Sequence, residues 1–145
     1  MAFRFSLFLL LLCRLAVAQT LKYPVSALPL IRNGAIVPNA WTGGLNAPEF
    51  SEIDLNTDGI KDLFVFDRVG EKCLTFLNDG RTGDAAFHYA PAYEKLFPLL
   101  KVWAVVKDYN ADGVPDLFTA QTGEIVQGTQ IPPGIKVYKG SRVNG

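Results

Sequence analysis

Oxygen-bearing side chains recur at one spacing in two places. Asp54, Asn56, Asp58 and Asp62 hold the first, third, fifth and ninth positions of D-x-N-x-D-G-x-x-D-L-F, and Asp108, Asn110, Asp112 and Asp116 hold the same positions 54 residues later. Gly59 and Gly113, at the sixth position, permit a sharp turn, so each set of oxygens can converge on one hard cation such as calcium. Three carboxylates per loop need that cation. Two like charges about 4 Å apart repel by about 1 kcal/mol in water and about 4 kcal/mol at an effective dielectric of about 20. An empty loop would therefore carry a penalty comparable with a sizeable part of a domain's stability of about 5–15 kcal/mol. Asp-Gly also marks hairpins, and Asx side chains favour turns for local hydrogen-bonding reasons. Repetition of all five polar or glycine positions, with the same Leu-Phe exit, favours metal sites over ordinary turns.

The calcium loop of an EF-hand is the nearest alternative, but its twelfth position wants a glutamate, and those places hold Val65 and Thr119. A dockerin-type loop wants an acidic residue there too. The ninth-position Asp62 and Asp116 instead supply the ligand that closes a compact loop between two strands. No catalytic constellation is assembled elsewhere. His88, the only histidine, lies in an aromatic run with no serine or cysteine arranged around it, which favours a packed or surface histidine over a catalytic base. Acids for glycoside chemistry would be drawn from Glu49, Glu52, Glu94 and Glu124, and their spacing places no two of them together. Cys73 lies in the apolar run Cys73-Leu74-Thr75-Phe76-Leu77, the setting of a buried strand residue rather than of a reactive thiol.

Loops of this kind need strands on both sides. In the first repeat residues 50–53 lead in, 62–67 lead out, and 72–77 return after the turn Arg68-Val69-Gly70-Glu71. Leu63-Phe64-Val65-Phe66 is apolar on both faces, which predicts a strand buried between stacked sheets. Within 84–98 part of the chain reads as strand, and 93–97 as a helical turn. The second repeat copies the plan with 102–106 leading in, 116–119 leading out and 134–138 returning. Residues 122–133 read as a longer polar loop at the edge of a binding face. Ahead of both repeats, residues 19–48 are rich in Pro and Gly, with short strands expected near 28–31 and 35–37. Pro24, Pro29, Pro38 and Pro48 argue against long regular structure there. That segment is expected to be an extended arm that packs on, or completes, a neighbouring sheet. Helical periodicity lasts nowhere beyond about two turns, so the class is all-β. The implied divisions are 1–18, the arm 19–48, a first repeat 49–98 and a second repeat 99–145, read as truncated.

Residues 1–18 carry the marks of a secretory signal: Arg4, an apolar run over 5–13, and Ala16-Val17-Ala18 before Gln19. Arg14 ends the apolar run well short of the ~20 residues a membrane helix needs, so no spanning anchor is expected. A lipoprotein-type cleavage at Cys13 is the lesser alternative, since no small residue precedes it. The chain has 14 basic and 14 acidic residues. Loss of the leader removes two arginines and no acid, which leaves a slight negative excess and no basic patch for nucleic acid. Six of the fourteen acids lie in the two loops, so the negative charge is concentrated there. Cys73 is then the only cysteine, and no internal disulfide can form. Calcium outside the cell could do the stapling that cystines do in other secreted domains.

The repeated D-x-N-x-D-G-x-x-D-L, with an apolar strand before it and a strand, a glycine turn and a return strand ending near Tyr138-Lys139-Gly140 after it, resembles the FG-GAP/VCBS repeat. Residues 43–54, through Phe66-Asp67-Arg68, resemble the first repeat of large secreted bacterial proteins of that class. The likeness covers about residues 43–140. It implies four-stranded antiparallel blades of an integrin-α-like β-propeller, about two of them here. It also implies about two calcium ions, held by Asp54, Asn56, Asp58, Asp62 and the carbonyl of Ile60, and by Asp108, Asn110, Asp112, Asp116 and the carbonyl of Val114. Propellers close with about four to eight blades. Two blades would mean a fragment or truncated product, or sheet edges that another chain covers.

The expected function is that of a secreted or cell-surface calcium-binding module for protein or glycan interaction and adhesion, with calcium as structural cement. The alternative is the N-terminal accessory part of a larger extracellular enzyme acting on polysaccharide. Trp41, Tyr93 and Tyr138 could bind sugar if exposed, although aromatics in β-proteins more often lie in the core.

Overall fold

The computed structural model describes residues 28–83 and 86–141. The signal-like segment 1–18, with Cys13, lies outside the described residues. Eleven short strands and one 3-10 helix make up the regular structure described, and every strand pairing is antiparallel. The all-β class is thus as the sequence predicts. The sheets are small and none is closed.

Strands β1 (Ile31–Arg32) and β2 (Ala35–Ile36) form a minimal hairpin over Asn33 and Gly34, both at positive φ. Next comes a four-stranded meander of β3 (Pro48–Ile53), β4 (Asp62–Asp67), β5 (Lys72–Asn78) and β6 (Phe87–Tyr89). Its register aligns Phe50, Val65 and Leu74, and then Leu63, Phe76 and Tyr89, so these side chains share one face. Ser51, Phe64 and Thr75, and Glu49, Phe66 and Cys73, share the other. Both faces are covered. Phe64 and Phe66 belong to one apolar cluster and Val65, Leu74 and Phe76 to another, which is what the unbroken apolar run of β4 predicts.

After β6 the 3-10 helix Pro91–Leu96 leads to β7 (Ala104–Lys107), β8 (Asp116–Gln121) and β11 (Gly134–Tyr138), a three-stranded meander in the order β7, β8, β11. Two expectations change here. The incoming strand begins at Ala104 and not at 102, because Val102 sits at φ +64° and breaks the extended run. Residues 122–133 are not a plain loop. They fold into a separate hairpin of β9 (Glu124–Val126) and β10 (Thr129–Ile131), turned by Gln127 and Gly128 at φ +50° and +80°. The second sheet therefore has three strands where the repeat pattern predicts four.

The two sheets stack face to face. Phe64 and Phe66 pack with Leu100, Ala104, Val106 and Leu117, and the Phe97 ring lies 4.6 Å from that of Phe64. Where β7 turns its unpaired N–H groups toward β3, side chains receive them: Ala104 N–H donates to Glu49 Oε2 and Val106 N–H to Ser51 Oγ, both at 3.0 Å. The arm closes the far edge of the first sheet. The Asn39 side chain donates to the carbonyl of Phe87 and accepts from the N–H of Tyr89, as a neighbouring strand would. Asp67 ties the arm to the β4–β5 turn by accepting the N–H groups of Asn46, Ala47 and Gly70.

Candidate metal centre

Each D-x-N-x-D-G loop joins the first two strands of its sheet, β3 to β4 and β7 to β8. The two are built to one hydrogen-bond plan. The first-position carboxylate accepts the glycine N–H, Gly59 to Asp54 Oδ2 at 3.0 Å and Gly113 to Asp108 Oδ2 at 2.9 Å. The asparagine oxygen accepts the N–H of the fifth residue, at 3.1 Å for Asp58 and 3.0 Å for Asp112. Its amide donates to that residue's Oδ2, at 2.8 and 2.9 Å. The fifth residue's Oδ1 accepts the N–H of the seventh, Ile60 at 2.7 Å and Val114 at 2.9 Å. Thr57 and Ala111, in the fourth position, share a left-handed backbone at φ +61° and +58°, and Gly59 and Gly113 follow at +85° and +82°. A non-glycine residue held there costs on the order of 1–2 kcal/mol, so both loops carry the same strain.

The ninth-position aspartates behave differently from the others. Asp62 and Asp116 are almost wholly buried, 1% and 0% exposed, while Asn56, Asp58, Asn110 and Asp112 lie at the surface. Asp62 Oδ2 accepts the Leu55 N–H at 2.8 Å, and its Oδ1 accepts the Asn78 N–H at 2.7 Å. Asp116 repeats both bonds, from Tyr109 at a longer 3.5 Å and from Gly140 at 2.9 Å. Each thus ties the start of its loop to the residue that follows or ends the return strand. The sequence reading missed those closing residues, Asn78 and Gly140. The inserted β9–β10 hairpin hides the correspondence, because it puts them 16 and 24 positions after their aspartates. The matching signal is local: each stands at the end of its return strand, in Asn78-Asp79-Gly80 and in Lys139-Gly140.

Gly140 has no alternative. A Cβ there would run into the carbonyl oxygen of Pro115 and the Val114 side chain. In the first loop the equivalent carbonyl, that of Lys61, accepts the Asn78 side-chain amide at 3.0 Å.

The donors of each loop are oxygens only, from Asp54, Asn56, Asp58 and Asp62 and from Asp108, Asn110, Asp112 and Asp116. Among the described residues no three His, Cys, Asp or Glu side chains stand together as a group that could hold a metal ion. Each loop brings its carboxylates around one turn of backbone, but engages them with N–H groups. One atom breaks this rule. Asp108 Oδ1 is buried with no hydrogen-bond partner, whereas its counterpart Asp54 Oδ1 accepts the Asp58 N–H at 3.1 Å. Asp112 also has a lysine beside it, Lys139 Nζ standing 3.6 Å from its Oδ2. Its carboxyl is held below the usual aspartate range, first by the Val114 N–H and then by the Asn110 amide, with Lys139 adding its charge. No family model matches this chain, and neither curated proteins nor solved structures give a match.

Most of the side chains weighed for catalysis are otherwise engaged. His88 Nε2, on β6, lies 2.8 Å from Asp79 Oδ2 and 3.2 Å from an Arg81 nitrogen, in an exposed polar cluster with the Asp79–Arg81 ion pair. Glu49 accepts from Ala104, Glu94 accepts the Tyr89 hydroxyl at 2.8 Å, and Glu124 lies 3.7 Å from Lys136. Glu52 is exposed on β3. Among the described residues none of these bonds joins one of the four glutamates to another. Cys73 is half-buried against the first apolar cluster, and burial pushes its thiol up to about 12. Among the aromatics named for sugar binding, Trp41 is exposed with its Nε1–H fixed on the Leu28 carbonyl, while Tyr93 and Tyr138 are half-buried.

Proposed function

We propose that the chain is a calcium-stabilised interaction module of the FG-GAP/VCBS type, exported from the cell, in which the two sheets are successive blade-like units. The reading rests chiefly on one observation: the same oxygen-rich loop, sharing most of its hydrogen bonds and the same strained fourth residue, is built twice at equivalent places in two stacked sheets. Local turn-making needs one Asp or Asn; it does not need three carboxylates in each of two loops.

The residues fit a hard dication. All side-chain donors are oxygen, the carboxylates retain unused lone pairs, and the buried Asp108 Oδ1 lacks the positive partner that a cation would be. Asp54, Asn56, Asp58 and Asp62 would hold one ion, with the Ile60 carbonyl, and Asp108, Asn110, Asp112 and Asp116 the other, with the Val114 carbonyl. The cation would supply charge neutralisation and cross-link each loop; the chain's own N–H groups already preset its path.

The partner surface is read from the difference between the sheets. Phe64 and Thr75 on the first sheet are wholly buried by what covers them, and Ser51 nearly so. On the corresponding face of the second sheet Val105, Ile135 and Val137 are exposed at 38%, 66% and 48%. That face, together with the bare outer edge of β11, is where a further unit or a protein partner would pack. Among the described residues no helix is long and apolar enough to cross a membrane. Calcium calorimetry and thermal unfolding with and without chelator test the proposal. Two equivalents bound and a melting temperature raised by calcium are expected. Absence of binding, or a double Asp58→Asn, Asp112→Asn variant that binds as the parent does, overturns it.

A further inference from the structure

We propose that Lys139 is a tethered competitor for the second cation site, a side-chain ammonium that a bound dication must displace, with no equivalent in the first loop. This rests on the calcium reading above and adds a regulator to it. Lys139 Nζ stands 3.6 Å from Asp112 Oδ2. Its backbone is pinned to the loop by the next residue, whose N–H is bonded to Asp116 Oδ1 and whose Cα lies too close to the Pro115 carbonyl to carry a side chain. The side chain itself is 74% exposed, so it can swing away without unfolding anything.

In the first loop the residue at the matching place, just before the N–H donor to Asp62, is Leu77, which carries no charge. Two other lysines flank the loops, Lys61 in the first and Lys107 before the second, and neither forms an ion pair among the described residues. The buried Asp108 Oδ1 acts in the opposite sense, favouring a cation in the second loop. The contribution of Lys139 is therefore read by removing it, not by comparing the two loops.

An exposed ion pair is weak, and an ammonium left within one Debye length of a dication still repels it. Together these set the expected gain from Lys139→Met at about five- to tenfold in affinity. The second loop has its own reporter: Tyr109, at the second position and packed edge-on against Phe118, can sensitise terbium bound there, whereas the first loop has Leu55 at that place. Terbium and calcium titrations of the wild type, Lys139→Met and Lys139→Arg, with Tyr109→Phe to assign the signal, make the test. Lys139→Met is expected to tighten the Tyr109-reported site and leave the other unchanged, with Lys139→Arg close to wild type. Two bound equivalents with unchanged affinities in Lys139→Met overturn the role of Lys139 alone. No cation bound by the wild type overturns the calcium reading and this inference with it.

Discussion

Replacing Asp62 and Asp58 in turn by asparagine separates two jobs that the proposed cation site would give its carboxylates. Asp62 is 1% exposed, and its two oxygens each accept one backbone N–H, at 2.8 and 2.7 Å. An asparagine there presents an NH2 group to one of those donors. The loss of a charge-assisted hydrogen bond, about 1.5–3 kcal/mol, overlaps with the cost of stranding a buried N–H, about 1–3 kcal/mol, and puts the penalty near 3 kcal/mol. Asp58 is exposed, and its bonds to Ile60 and Asn56 compete with water. Asp58→Asn should therefore lie within about 0.5 kcal/mol of wild type when chelator is present. Calcium at a hundred times its dissociation constant adds about 2.7 kcal/mol per site by mass action, and Asp58→Asn should forfeit much of that increment. Urea unfolding in chelator and in calcium reads all four values. The expected pattern is a large loss for Asp62→Asn in both conditions and a loss for Asp58→Asn in calcium alone. Equal losses in chelator, or an Asp62→Asn variant as stable as wild type there, would refute the division of labour.

Acid should loosen the arm. The Ala47 N–H above all, with those of Asn46 and Gly70, holds the Asp67 carboxyl below the usual 3.8 despite its burial. A folded value below the unfolded one means that the stabilisation is complete above about pH 4 and is lost as the pH falls through the lowered value. Asp67→Asn should remove this part of the acid transition, followed by fluorescence of Trp41 on the arm; an unchanged acid limb would count against it. The Cys73 thiol, pushed up to about 12 mainly by burial, should resist alkylation at pH 8 in the folded protein and react once denaturant is added. Rapid reaction of the native state would show that β5 opens more readily than its packing implies.

Much of the first sheet was legible in the chain because its signals are local. Leu63-Phe64-Val65-Phe66 announces a strand covered on both faces, and β4 runs over Asp62–Asp67 as expected, with β5 one residue longer than the reading at its C-terminal end. The second sheet was less legible, and the reasons are tertiary. Val102 belongs to an apolar run that looks like strand, but β7 must bring the N–H groups of Ala104 and Val106 to Glu49 and Ser51, fifty-five positions back. The backbone reverses at Val102 to reach them, and Arg68 Nε–H meets the freed Val102 carbonyl at 3.2 Å. Residues 122–133 carry the same lesson: Gln127-Gly128 is a hairpin turn once both residues take positive φ, a choice that polar composition does not announce.

The loops show where spacing stops being informative. Asp, Asn, Asp and Asp at the first, third, fifth and ninth positions look like four equivalent donors in the sequence. In three dimensions the ninth is a buried clamp that ties the loop to the end of the return strand, the first is half-buried, and the third and fifth lie on an exposed turn. The distinction follows from β-pleat alternation. Asp62 opens β4 one residue before Leu63 and two before the fully buried Phe64, so its side chain enters the interior with Phe64, where a carboxylate persists only if N–H groups surround it. Asp116 holds the same place in its strand; Phe118 beyond it is only half-buried, but the Asp116 side chain is itself 0% exposed and meets the same requirement. A carboxylate already satisfied by two backbone donors can serve a cation only with lone pairs those donors leave free. The loop's shape is then set by the chain, and a cation held there would tighten a geometry it did not create.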